Sequence, residues 1–99
     1  MTEGSAAATP KFAESMVELV KGIASALVDS PESVLVEAFD EGEGTLIRLR
    51  VAPTDVGKVI GKQGRTARSI RTILSAASMK LKHRFSLDIV EEGGATQDS

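Results

Sequence analysis

Two glycines three positions apart, Gly61 and Gly64, bracket Lys62 and Gln63 in the stretch VIGKQGR, with Lys58 before them and Arg65, Arg68 and Arg71 after. A glycine permits positive φ and a close backbone approach, so such a loop can turn its amide groups outward. Gly64 leads into an arginine-rich helical pattern, and the first amides of a helix lack partners while its dipole favours an anion. Amides beside full positive charges make a place for a phosphate group. GxxG alone is a weak signal, and a tight turn between two helices is the rival reading; what lowers it is the cluster Lys58, Lys62, Arg65, Arg68 and Arg71, with no carboxylate among them.

Other phosphate-binding motifs fail on spacing. A P-loop needs four residues between its glycine and the Gly-Lys pair, then Ser or Thr for magnesium; Gly57 and Gly61 are separated by three residues, and Gln63 follows Lys62. The dinucleotide fingerprint GxGxxG is absent, and the loop follows a helical pattern instead of a strand. No cysteine is present, which removes disulfides, thiolate metal sites and thiol nucleophiles. His83 is the one histidine, so a surface or groove-edge position suits it better than a metal site. No metal, cofactor or catalytic pair is expected.

The charges are segregated along the chain. Residues 1–56 hold 4 basic and 10 acidic side chains, residues 57–87 hold 8 basic and none acidic, and residues 88–99 hold 4 acidic and none basic. A local positive field on a chain of net charge −2 points to an anionic partner for the middle segment. Ile60 and Val59 set apolar surface beside the loop, or else belong to the core, as Val56 is expected to. With 3 Phe and no Trp or Tyr, a base leaving solvent here would rest on aliphatic side chains.

The elements that must hold the loop follow from hydrophobic spacing. At 99 residues, 41% hydrophobic and 26% charged, the chain is read as one small folded domain. Residues 1–10 and 92–99 are small and polar and are expected to be disordered tails around a domain spanning residues 11–91. Phe12, Met16, Leu19, Val20, Ile23 and Leu27 predict an amphipathic first helix that stops near Asp29, before the Ser30–Pro31 pair. SVLVEAF and TLIRLRV predict an antiparallel hairpin, with Ile47, Leu49 and Val51 on one face and Leu46, Arg48 and Arg50 on the other. A helix of barely two turns from Asp55 to Ile60 is capped by Thr54 or Asp55. A long helix follows, on the stripe Ala67, Ile70, Leu74, Ala77 and Leu81, and then a strand with Phe85, Leu87 and Ile89 inward. The order αββααβ predicts an α+β fold, a three-stranded mixed sheet with three helices on one face, its last two strands parallel.

VIGKQGR after DVGK, with TARSIRTIL behind it and this element order, resembles the type II KH domain, over about 80 residues from Phe12 to Glu91. A chain with one such domain and little else is similar to the small bacterial single-KH proteins of the KhpA family. The resemblance implies a non-catalytic binder of single-stranded RNA, an RNA chaperone or regulator in the cytoplasm, holding about four nucleotides with the loop against the backbone. It assigns Gly61, Lys62, Gln63 and Gly64 to the clamp, Ile60 to the groove floor, and Lys82 and Arg84 to the groove's border; the charge cluster itself adds Lys58, Arg65 and Arg68 as RNA-binding candidates. It further implies a homodimer, or a heterodimer with a KhpB (Jag)-like protein, in control of cell elongation and division; Ile70 and Ile73 on the third helix are candidates for that interface. Ile73 and Met79 lie off the helix stripe, either as interface residues or as the edge of a broad buried face. The other reading of function is a KH-fold scaffold with little RNA affinity. No run reaches the roughly 18 apolar residues of a membrane span, and the acidic N-terminus is unlike a secretory signal, so no membrane partner is expected.

Overall fold

A computed structural model describes residues 11–91 and 96–97. The expected tails, apart from 96–97, lie outside the described residues. The order is α1 (Lys11–Leu27), β1 (Leu35–Asp40), β2 (Gly44–Val51), α2 (Val56–Ile60), α3 (Arg65–Leu81), β3 (Arg84–Glu91) and β4 (Thr96–Gln97). Short 3-10 turns precede β1 and α2 at Pro31–Ser33 and Pro53–Asp55, each opening on the proline, whose fixed φ suits a first helical position.

The sheet order is β1-β2-β3-β4, antiparallel between β1 and β2 and parallel between β2 and β3. The expected three strands are therefore present in the expected mixed arrangement. The fourth, β4, adds a two-residue antiparallel pairing of Thr96 and Gln97 with Val90 and Ile89. It corrects the reading of 92–99 as wholly unstructured. Backbone pairing needs no side-chain alternation, which is why a polar Thr-Gln pair gave no strand signal.

Alternation along β2 and β3 decides the core. Ile47, Leu49 and Val51 are fully buried, Phe85, Leu87 and Ile89 nearly so, and they meet Val56 and Val59 from α2 and Ala67, Ile70 and Leu74 from α3. The opposite face carries Arg48, Arg50, Ser86 and Asp88, as expected of polar positions one residue out of phase. Arg48 bonds Asp88 across the parallel pair at 3.2 Å and lies 5.0 Å from the Phe39 ring centre, while Arg50 sits 3.7 Å from Glu37.

Helix α1 is rotated from the expected stripe. Ala13, Val20 and Ala24 are its fully buried residues, Phe12, Met16 and Ile23 flank them, and Leu19 and Leu27 are 37% and 40% exposed. Alanine at the seam lets the helix approach the sheet closely, which large side chains there would prevent. His83, expected at the surface or at a groove edge, is half-buried. Its Nε2 lies 2.7 Å from Thr45 Oγ1, and its ring packs 5.0 Å from Phe12 and 5.1 Å from Phe85, tying the start of α1 to the base of β2 and β3.

Candidate nucleic-acid interface

The loop is built by backbone geometry that ordinary residues resist. Gly61 ends α2 at φ 82°, ψ 169°, a region left almost entirely to glycine. A Cβ there would also run into Thr66 Oγ1 and stand 2.9 Å from the Thr66 nitrogen, so glycine is required twice over. Gln63 and Gly64 follow in the left-handed region, at φ 56° and φ 74°. Three of the four clamp residues thus have positive φ, and one of them is not glycine.

That sequence of turns sets where the amides go. Gly61 N–H bonds the Gly57 carbonyl at 2.8 Å, Gly64 N–H bonds the Gly61 carbonyl at 3.0 Å, and Arg65 N–H bonds the Lys62 carbonyl. Among the described residues, the Lys62 and Gln63 amides donate to no backbone acceptor, and both residues are exposed. Arg65 and Arg68 stand exposed on the first turns of α3, and Arg71 is half-buried one turn on. Free donors, positive charge and a helix N-terminus coincide here, an arrangement that suits an anion.

Ile60, half-buried against the core, borders the loop. Val59 is fully buried and belongs to the core with Val56, so the apolar surface beside the clamp is Ile60. A shallow cleft of about 210 Å³ opens between α3 and β3, lined by Arg71, Leu74, Ser75, Phe85, Ser86 and Leu87. Its floor is apolar and its rim carries two hydroxyls and one guanidinium.

Lys58, unlike Lys62, is paired with carboxylates. Its ammonium lies 3.3 Å from Asp29 Oδ2 and 3.6 Å from Asp55 Oδ1. The hydrogen bond and charge of Asp29, with a smaller contribution from Asp55, raise its pKa above the ordinary 10.5 against some desolvation. Asp55 stands three residues before Lys58 in the sequence, whereas Asp29, in the connection after α1, is brought to it only by the fold.

Asp55 is the residue that reasoning assigned differently. It occupies the N-cap position of α2 but makes no side-chain cap bond. Its carboxylate is fully buried and accepts from the Asp29 amide at 3.2 Å and the Ser30 amide at 3.0 Å, fastening the α1–β1 connection to the start of α2. Carboxylates that accept backbone amides over a long sequence separation leave no local signal.

Lys82 and Arg84 are exposed but stand at the other end of α3, which at 1.5 Å per residue spans about 25 Å. Arg84 instead borders the acidic hairpin loop, with Glu41 and Glu43. Ile70 is 2% exposed and belongs to the core, so it is not available to a partner; Ile73 and Met79, 43% and 82% exposed, are.

Residues 17–89 match the family model described as KhpA/KhpB, KH domain. The chain belongs to the KhpA/KhpB KH-domain family. Among KhpA relatives, it is 52% identical over 75 residues to the RNA-binding protein KhpA of Caldanaerobacter subterraneus subsp. tengcongensis, covering 76% of this chain and 100% of that one. It is 51% identical over 76 residues to the RNA-binding protein KhpA of Halalkalibacterium halodurans, covering 77% and 100%. In fold it is similar to Aquifex aeolicus Era bound to GDP·AlF4⁻, with a TM-score of 0.53 and 18% identity over 85% of this chain and 32% of that one. A second Era structure, in complex with MgGDPNP and nucleotides 1506–1542 of 16S ribosomal RNA, gives a TM-score of 0.52 and 16% identity over 91% and 36%. This chain therefore spans about a third of Era, and that likeness concerns fold alone. The KhpA/KhpB membership agrees with the α+β element order.

Proposed function

We propose that this chain is a non-catalytic, cytoplasmic binder of single-stranded RNA whose Gly61–Gly64 loop holds the sugar-phosphate backbone. The observation that carries it is the pair of amides at Lys62 and Gln63 that donate to no backbone acceptor among the described residues, in an exposed loop with positive φ at three residues and flanked by Arg65 and Arg68. The names of the KhpA relatives, RNA-binding proteins, support the same reading. Phosphates sit on the amides and the Lys62, Arg65 and Arg68 side chains, and bases turn toward Ile60 and the cleft between α3 and β3. Aliphatic contact and few base-edge groups give modest sequence preference.

The K62D/Q63D variant tests the clamp. Both positions are exposed, so the melting midpoint and circular dichroism stay as in the wild type, while anisotropy with a labelled unpaired oligoribonucleotide shows binding lost. Retained affinity in the folded variant would exclude the clamp.

The second reading is a scaffold whose chief partner is another KH protein, either a second copy or a KhpB (Jag)-like chain. Exposure of Ile73 and Met79 on α3 favours it, as does the family's name. The two readings are compatible, because one module makes few phosphate contacts and pairing two on one strand raises affinity through effective concentration.

A further inference from the structure

Among the described residues, the β1 end of the sheet is open. Strand β1 pairs with β2 through six unbroken positions, from Leu35↔Arg50 to Asp40↔Thr45, and terminates the sheet. Its other edge presents backbone donors and acceptors, without a proline, a lysine or a bulge to blunt it. The side chains on either face of this edge are unlike. Toward α1, Val36 and Ala38 stay half-buried beneath a cavity of about 330 Å³ that Val17 also lines and that Glu14 and Glu18, one helical turn apart, rim with carboxylates. On the opposite face, Leu35 and Phe39 are 48% and 39% exposed.

We propose that the free edge of β1 is a docking site for an extended, basic segment of a partner protein, added as a further strand. An added strand alternates its side chains between the two faces. On the α1 face those side chains meet the Glu14 and Glu18 carboxylates over an apolar floor, a place for the stem and head of an arginine or lysine. On the other face they lie beside Leu35 and Phe39, and the Glu37 carboxylate between these two already meets Arg50 at 3.7 Å, so those side chains should be apolar. The partner segment therefore alternates cationic and apolar residues. Nucleic acid is excluded from this edge by like charge. A second copy of β1 is disfavoured too, because two such edges would bring Glu37 and the Glu14/Glu18 rims of both copies together, in a segment where residues 1–56 hold 10 acidic and 4 basic side chains.

The test uses the full chain, isotopically labelled, titrated with a blocked octapeptide of alternating arginine and valine. Amide shifts confined to Leu35–Asp40 and to Glu14–Glu18, with slowed hydrogen exchange along β1, are expected. The E14K/E18K variant, altered only at exposed helix positions, should melt as the wild type does and bind the peptide at least about tenfold more weakly. A block peptide of the same composition should also bind at least about tenfold more weakly, and K62D/Q63D should bind the alternating peptide normally, which separates this surface from the clamp. Shifts elsewhere, equal affinity for the block peptide, an unchanged affinity in E14K/E18K, or a dimer formed through β1 in sedimentation would each overturn the proposal.

Discussion

Gly61 and Lys58 show how differently two neighbours of one loop are constrained. Gly61 holds φ 82°, ψ 169° with Thr66 against it, so Gly61→Ala should cost about 1–3 kcal/mol and lower the melting midpoint by at least about 5 °C in a calorimetric scan. A midpoint within a degree or so of wild type would mean the loop has another low-energy form. Lys58 is committed to Asp29 and Asp55, so Lys58→Met should change RNA affinity far less than Lys62→Met does in the same anisotropy assay. Its pH signature has a fixed sign. The folded pKa is raised above 10.5, so the stability from this ion pair is fully present below 10.5 and is lost as pH rises through the folded value. Urea denaturation of wild type and Lys58→Met should therefore differ by a constant amount at neutral pH, and the curves should converge in strong alkali. Of the two carboxylates on Lys58, only Asp55, three residues before it, was legible in the sequence; Asp29 lies 29 positions away and only the fold brings them together, whereas the glycine spacing and the arginines after it were visible at once.

At the scale of elements, strict alternation made β2 and β3 readable, because a half-buried strand shows its two faces every other residue. The stripe Ala67, Ile70, Leu74 on α3 was readable for the same reason at helical spacing. Helix α1 was harder. Its apolar arc is broad, and large residues drew the reading toward Leu19 and Leu27, while the seam that touches the sheet runs through Ala13, Val20 and Ala24. Small side chains carry little hydrophobic signal and yet set the closest approach. On α3 the same ambiguity between Ile70 and Ile73 is resolved by burial, and it makes the pair a controlled test. If the chain pairs with a second copy through this face, Ile73→Lys should leave the fold intact and shift the protein from dimer toward monomer in analytical ultracentrifugation, whereas Ile70→Lys should unfold it, because a cation placed at a 2% exposed core position has no partner. A variant at Ile73 that remains dimeric would remove that face of α3 from the interface.

For the whole molecule, the segregation of charge seen along the sequence persists in space and separates two surfaces. The clamp end gathers Lys62, Arg65, Arg68 and Arg71, and the opposite face of the sheet neutralises Arg48 and Arg50 internally with Asp88 and Glu37. RNA should then meet its densest positive charge near the loop, on a chain whose net charge is −2. Binding limited to one patch releases few counterions. If three to five phosphates are neutralised there, the slope of log affinity against log salt should be about −2 to −4, at roughly 0.7 per phosphate on a single strand. Removing Lys62 alone should reduce that slope by a little under one, and removing Arg48 should leave it unchanged, because its guanidinium already faces Asp88 at 3.2 Å. Anisotropy titrations across a salt series measure both. A slope far steeper than five phosphates allow would mean that positive groups remote from the loop, such as Lys82 and Arg84 at the far end of α3, also contact the strand, or that two copies bind it together; the Ile73→Lys monomer separates these, since only the second case loses the extra slope when the dimer is broken.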